Sequence, residues 1–343
     1  MSVVAVAGGT GDFGKLIVQA LVATGRHQVF ILSRVFNPHL GDENCTDDKS
    51  SATVIPTTYD SVPALTELLT AHGVNVVVCA FSMYAQSTSD AQVNLIRAAD
   101  KAPCTTRFLP SEFNVNYDLP DSLLPYADKH FHRAARRALE HDTSTLEFAY
   151  VYTGMFMDYF GMPNIETHLR ELPLFIDPRG RRAILPGDGS ARMSMSYTKD
   201  AARYVALALD LEPGTWSRSL TTAASTVSLD ELVRIAEKHV GAAVQVTYQD
   251  TEKLLRHANA TLPRAEALAE EFPQRYPRGL EQVRGVIADL EVSVALGSFD
   301  LDVMAGSDTM DLTARFRDTA EPPMTIERLM ETAWGKSESG ETG

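Results

Sequence analysis

The chain has 343 residues, 44 % of them apolar and 22 % charged, the composition of a globular protein with a large core and more than one structural unit. Its formal net charge of −14 sets it against nucleic acid and anionic membranes, and no run of Lys and Arg offsets that charge. We therefore expect a small-molecule substrate and no nucleic-acid or membrane partner; a homo-oligomer is compatible with the composition.

Three cysteines, Cys45, Cys79 and Cys104, give an odd count without metal-ligand spacing. Cys79 lies in the apolar run VNVVVCAF and reads as a buried free thiol, which fits a reducing compartment. The first expected strand begins at Val3, leaving no room for a signal peptide. No apolar run reaches the roughly 18 residues of a membrane span. A cytoplasmic protein is expected.

In chain order, short and continuously apolar runs occur at Val3–Ala7, Gln28–Leu32, Val74–Phe81, Thr106–Leu109 and Leu146–Tyr152. They do not alternate, so both faces of each strand should be covered, as in a parallel sheet. Helical patterns lie between and after them, at Lys15–Ala23, Val62–Ala71, Ala91–Ala99 and His130–His141. The alternation predicts an α/β fold with a Rossmann-like, doubly wound parallel sheet over residues 1–153. Beyond it, Pro and Gly become frequent. A helix is expected at Asp200–Leu209, and another from the capping box Ser228-Leu-Asp-Glu231 to Gly241. A further helical region spans residues 262–290. Residues 154–334 read as a smaller, mostly helical substrate lobe packed on the first. The tail 335–343 has no apolar residue and is expected to be disordered.

Gly8, Gly11 and Gly14 stand between the first strand and the first helix, where a dinucleotide-binding turn needs them. The first permits the tight turn, the second lets the backbone approach a diphosphate, and the third lets helix and strand pack. Thr10, Asp12 and Phe13 complete the expected cradle at the helix N-terminus. The second strand ends Ile31-Leu32-Ser33-Arg34 without an acid. Arg34 can pair with a 2′-phosphate, which favours NADPH/NADP over NAD. The acidic residues Asp42, Glu43, Asp47 and Asp48 follow, offset in part by Lys49.

The stretch Arg107-Phe-Leu-Pro-Ser-Glu-Phe113 resembles the NmrA-like, isoflavone-reductase-like branch of the atypical short-chain dehydrogenases. Gly8–Gly14, Arg34, the RRALE of Arg136–Glu140 and Tyr152-Thr-Gly-Met-Phe156 extend the resemblance. Asn114 stands where the family usually has Gly. After Phe160 the likeness is looser, around GDGSARMSM and the Asp200 helix. The resemblance implies a Rossmann-like domain, NADPH and hydride transfer. Plant members reduce activated double bonds or benzylic ethers; regulators in the branch bind a dinucleotide without evident catalysis.

Ordinary short-chain dehydrogenases use Tyr-x-x-x-Lys, but Tyr126 and Lys129 are spaced by three. The plant reductases rely on a lysine at the start of the RRALE-type helix. Counting back from Glu140 places that position at His132, with Lys129 one turn earlier. Residues three apart share a helix face. Lys129 is expected to handle the proton and touch the cofactor ribose, with His132 as the alternate. Phe81 and Ser82, after the fourth strand, should line the cofactor. Met83, Glu112, Phe113, Asn114, Met155, Phe156 and Tyr159 are the expected substrate contacts, and their character points to a bulky apolar or aromatic molecule. No metal site is expected.

Overall fold

Strand β1 (Ser2–Ala7) is fully buried from Val4 onward because strands flank it on both sides and helices cover both faces. The computed structural model, which describes residues 2–34 and 52–335, places it inside a six-stranded sheet. The other strands are β2 (His27–Ser33), β3 (Thr53–Pro56), β4 (Val76–Cys79), β5 (Arg107–Leu109) and β6 (Glu147–Phe148). All pairs are parallel, in the order β3-β2-β1-β4-β5-β6. The order reverses between β1 and β4, and open sheets of this kind bind ligands at the carboxyl edge of that reversal. Cys45, the acidic residues 42–48, Lys49 and the tail beyond Gly335 lie outside the described residues.

Helix α1 (Asp12–Ala23) packs Leu16, Ile17 and Leu21 against Val4, Val6 and Val78. On the other face lie α2 (Val62–Ala71), α3 (Gln86–Lys101) and α4 (Lys129–Arg137), burying Leu65, Leu69, Leu95, Ile96 and Ala135. Ser61 starts α2 by accepting from the Ala64 amide, with Pro63 in the first turn. The helix expected at His130–His141 begins as α4 and ends in a wider π turn, Ala138–Asp142. Strand β3 was not among the expected strands. Only Val54 and Ile55 in it are aliphatic, and it lies half-exposed at the sheet edge.

Residues beyond 153 build a second, three-stranded sheet on the strand that follows β6. Strand β7 (Tyr150–Tyr152) follows β6 directly and pairs in parallel with Ser219–Thr221, which pairs with Thr309–Asp311. Helix Thr198–Leu209 lies against α1, and its Tyr204, Val205 and Leu209 share one core with Val4, Val6 and Ile17. The division at 153 marks a change of chain rhythm, while the core runs across it. Helices Leu229–Val240, Arg264–Glu271 and Leu280–Ala295 make up most of the remaining lobe. The Ser228–Glu231 capping box and a left-handed Gly241 bound the first of them, as the sequence predicts. Among the described residues no helix is long and apolar enough to cross a membrane, and no His, Cys, Asp and Glu cluster could hold a metal.

Candidate functional site

The turn after β1 needs glycine for steric reasons. Gly8 adopts φ 80°, and a Cβ there would stand 2.6 Å from the Ala80 carbonyl oxygen at the end of β4. A Cβ on Gly14 would stand 2.1 Å from the Gly8 oxygen. The turn is therefore pressed against β4, and the first turn of α1 against it. The Gly11 carbonyl accepts the first helical bond, from Lys15 at 2.9 Å. The amides of Thr10, Asp12, Phe13 and Gly14 donate to no partner among the described residues. No side chain caps this 12-residue helix. The result is a cradle of free N–H groups at the positive end of a helix dipole, which fits a diphosphate.

Other edge residues converge on this turn. Phe13 meets Phe113 edge-on at 4.9 Å and Phe156 at 5.1 Å, joining the turn to the ends of β5 and β7. Phe81, after β4, packs against Tyr59 at 5.1 Å. Ser82 and Arg34 are exposed at the ends of β4 and β2. The Gly154 amide donates to the Asn114 carbonyl at 2.8 Å.

Ser111 is the hub of the β5 edge. Its amide donates to Gln92 Oε1 at 2.7 Å and its hydroxyl to the Phe81 carbonyl at 2.7 Å. Its carbonyl lies 2.9 Å from His132 Nδ1. A carbonyl can only accept, so Nδ1 carries the proton and Nε2 keeps a lone pair. That lone pair meets no donor among the described residues. The ring stacks on Tyr117 at 3.6 Å with planes 7° apart, and the Tyr117 hydroxyl accepts from Asn114 Nδ2 at 3.1 Å. Burial holds the imidazole pKa down, to about 3, so the ring is neutral.

Lys129 is placed differently from the expectation. Its ammonium donates to the Leu119 and Leu124 carbonyls at 3.1 and 2.7 Å and pairs with Asp121 at 2.5 Å. All three N–H donors are taken by the 119–124 loop. Glu112 is likewise committed. It is fully buried, and both its oxygens accept from Arg136 Nε at 2.8 and 3.0 Å. Burial pushes its carboxyl up while Arg136 pulls it back. Arg136 continues to Asn116, Asp118 and the Tyr152 hydroxyl, tying the loop after β5 to β7. Met83 and Met155 are core residues, 4 % and 3 % exposed. Phe113, Asn114, Phe156 and Tyr159 are half-buried around the edge.

Sequence reasoning quoted Ser111 and Arg136 without giving them roles, and it missed Gln92 and Tyr117. Glu112 and Arg136 carried a usable signal, being opposite charges set among residues that pack. Nothing local marks Tyr117 as the platform for His132.

The NmrA-like family model matches residues 1–318. The oxidoreductase swnN of Metarhizium robertsii is 26 % identical over 323 residues, 88 % of this chain and 90 % of that protein. The oxidoreductase BOA1 of Botryotinia fuckeliana is 30 % identical over 238 residues, 69 % and 76 % of the two chains. A solved structure of the binary complex of leucoanthocyanidin reductase with NADPH, from Vitis vinifera, has a TM-score of 0.69 at 18 % identity. It covers 96 % of this chain and 98 % of its own, and the likeness is one of fold.

Proposed function

This chain belongs to the NmrA-like family, and we propose that it works as an NADPH-dependent reductase. Its hydride acceptor would be an activated C=C, C=O or C=N bond in a bulky, apolar or aromatic small molecule. The observation that carries this reading is the cradle of undonated amides at Thr10 and Asp12–Gly14, set at the point where strand order reverses. Relatives named as oxidoreductases support it. Arg34, exposed at the end of β2, meets the 2′-phosphate with a forked, charge-assisted contact. NADPH, when bound, supplies the hydride.

The chain's own groups do the rest. Phe81 and Ser82 line the cofactor side, and Phe13, Phe113, Phe156 and Tyr159 offer apolar and aromatic surface to substrate. His132, the expected alternate to Lys129, keeps one ring nitrogen uncommitted. With Nδ1 donating to Ser111, its Nε2 accepts a hydrogen bond from a substrate hydroxyl and has no proton to give. It thereby orients a substrate hydroxyl beside the hydride acceptor, and a proton from solvent completes the addition across the C=C, C=O or C=N bond. Tyr117, flat against the ring, fixes the imidazole plane.

Calorimetric titration with NADP⁺ and NAD⁺ tests the cofactor. Tighter binding of NADP⁺ is expected, with Arg34→Ala removing that preference. Heat from neither ligand would sink the reading. A second reading, a dinucleotide sensor that turns nothing over, draws on the commitment of Lys129 and Glu112 to protein contacts. A chain that binds NADP⁺ yet never oxidises NADPH with any of a panel of quinones, conjugated carbonyls and phenols is that sensor.

A further inference from the structure

Arg170 lies beyond residue 153, outside the first lobe, but reaches the glycine turn. Its Nε donates to Asp12 Oδ2 at 3.0 Å, across 158 positions of sequence. Asp12 is the first residue of α1, the helix whose leading amides are free. A guanidinium has five N–H donors, and the other four on Arg170 meet no partner among the described residues. Its charge is also felt by the hydroxyls of Tyr84, beyond β4, and Tyr276, in the helical lobe. The contact with Asp12 sets the guanidinium beside the start of α1.

The segment carrying Arg170 is pinned. The Tyr197 hydroxyl donates to the Glu166 carbonyl at 2.6 Å, and Thr167 Oγ1 donates to Asp158 Oδ1 at 2.7 Å. Arg264 holds Glu171 at 2.9 Å, and Leu172 and Leu174 are buried. Arg170 thus projects from fixed backbone, with its own side chain 60 % exposed.

As a surface ion pair alone, the contact would do little. Its position gives it more to do. A diphosphate on the amides of residues 10–14 brings negative charge beside the Asp12 carboxylate, in a chain already at −14. A planar guanidinium with four free donors matches phosphate oxygens better than any other side chain. We propose that Arg170 is a diphosphate ligand supplied from outside the first lobe, held beside its site by Asp12 and sharing its free N–H groups with the phosphates once a dinucleotide arrives. The inference rests on the dinucleotide reading of the glycine turn.

The test is calorimetric titration of the full chain with NADP⁺, NAD⁺ and adenosine 2′-phosphate, which has no diphosphate. Arg170→Ala should weaken both dinucleotides about ten- to a hundredfold and leave adenosine 2′-phosphate unchanged. Arg170→Lys, which keeps the charge but not the fork, should fall between. Asp12→Asn keeps an oxygen that accepts from Arg170 Nε and removes the carboxylate charge that repels the phosphates, so it should tighten both dinucleotides. Unchanged dinucleotide affinity in Arg170→Ala overturns the proposal, as does an equal loss for adenosine 2′-phosphate. Weaker binding by Asp12→Asn overturns the reserve role of Asp12. A wild-type chain that binds no dinucleotide fails the functional reading itself, before any variant is compared.

Discussion

The Lys129 ammonium has three N–H donors, and the 119–124 loop takes them all. His132, three residues on, spends one ring nitrogen on Ser111 and keeps the other. This difference predicts different losses. Lys129→Ala leaves two carbonyls without their donor beneath a residue only 5 % exposed, and should cost about 1–3 kcal/mol of stability. Dinucleotide affinity should be kept, and denaturant melts with titration below the transition check both. His132→Asn retains a donor for the Ser111 carbonyl and deletes the Nε2 lone pair. Turnover should fall about 10²–10⁴-fold with NADP⁺ affinity unchanged. Because burial holds the imidazole near 3, rate profiles should show no inflection from His132 at its ordinary 6.5. Full turnover in His132→Asn would show that its Nε2 holds no substrate group.

Helix Leu280–Ala295 turns Glu291 into the core. Its carboxyl is 2 % exposed and accepts from Gln249 Nε2 at 2.9 Å and, at the edge of contact, from the Phe175 amide at 3.5 Å. No cation pairs with it among the described residues. Burial pushes its pKa from 4.5 up to about 8. Between those values the folded chain binds more protons than the unfolded one, so stability falls as pH rises, by up to about 1.4 kcal/mol per pH unit. Glu291→Gln keeps the shape and removes the ionisation. Thermal melts on both sides of that window should show a flatter pH dependence in the variant, and a higher Tm than wild type above it. Parallel curves would mean that Glu291 does not titrate there. At this scale the sequence is legible wherever one element decides its own form. Strands β1 and β4, and the stretch 29–32 of β2, are covered on both faces and so read as unbroken apolar runs. Ser61 and the Ser228–Glu231 box are local chemistry and mark helix starts. The edge strand β3 needs no such run and went unread. Glu112 and Arg136 both stood in quoted motifs, but their pairing spans 24 positions and exists only after β5 and α4 are packed. Lys129 and His132 stand three residues apart on α4, yet their side chains reach different partners. A lysine's long stem then carried its charge to loop carbonyls that no periodicity announces.

Over the whole molecule, the two halves of the sequence do not make two cores. Tyr204, Val205 and Leu209 of helix Thr198–Leu209, with Leu220 and Leu312, are at most 2 % exposed and pack with Val4, Val6, Leu16, Ile17 and Leu21. Burying such a side chain is worth about 1.5–3 kcal/mol, so the five together contribute on the order of 10 kcal/mol. That matches the entire net stability of an ordinary protein, about 5–15 kcal/mol. The strand Ser219–Thr221 also satisfies the outer edge of β7. A fragment ending at residue 153 holds the glycine turn, β1 and α1, yet leaves the outer face of α1 and the edge of β7 uncovered. It should therefore show no cooperative urea transition and no NADP⁺ binding, while the full chain melts with both lobes together. A cooperative, NADP⁺-binding fragment 1–153 would mean that the first lobe carries its own core, and that the returning helix and strand only decorate it.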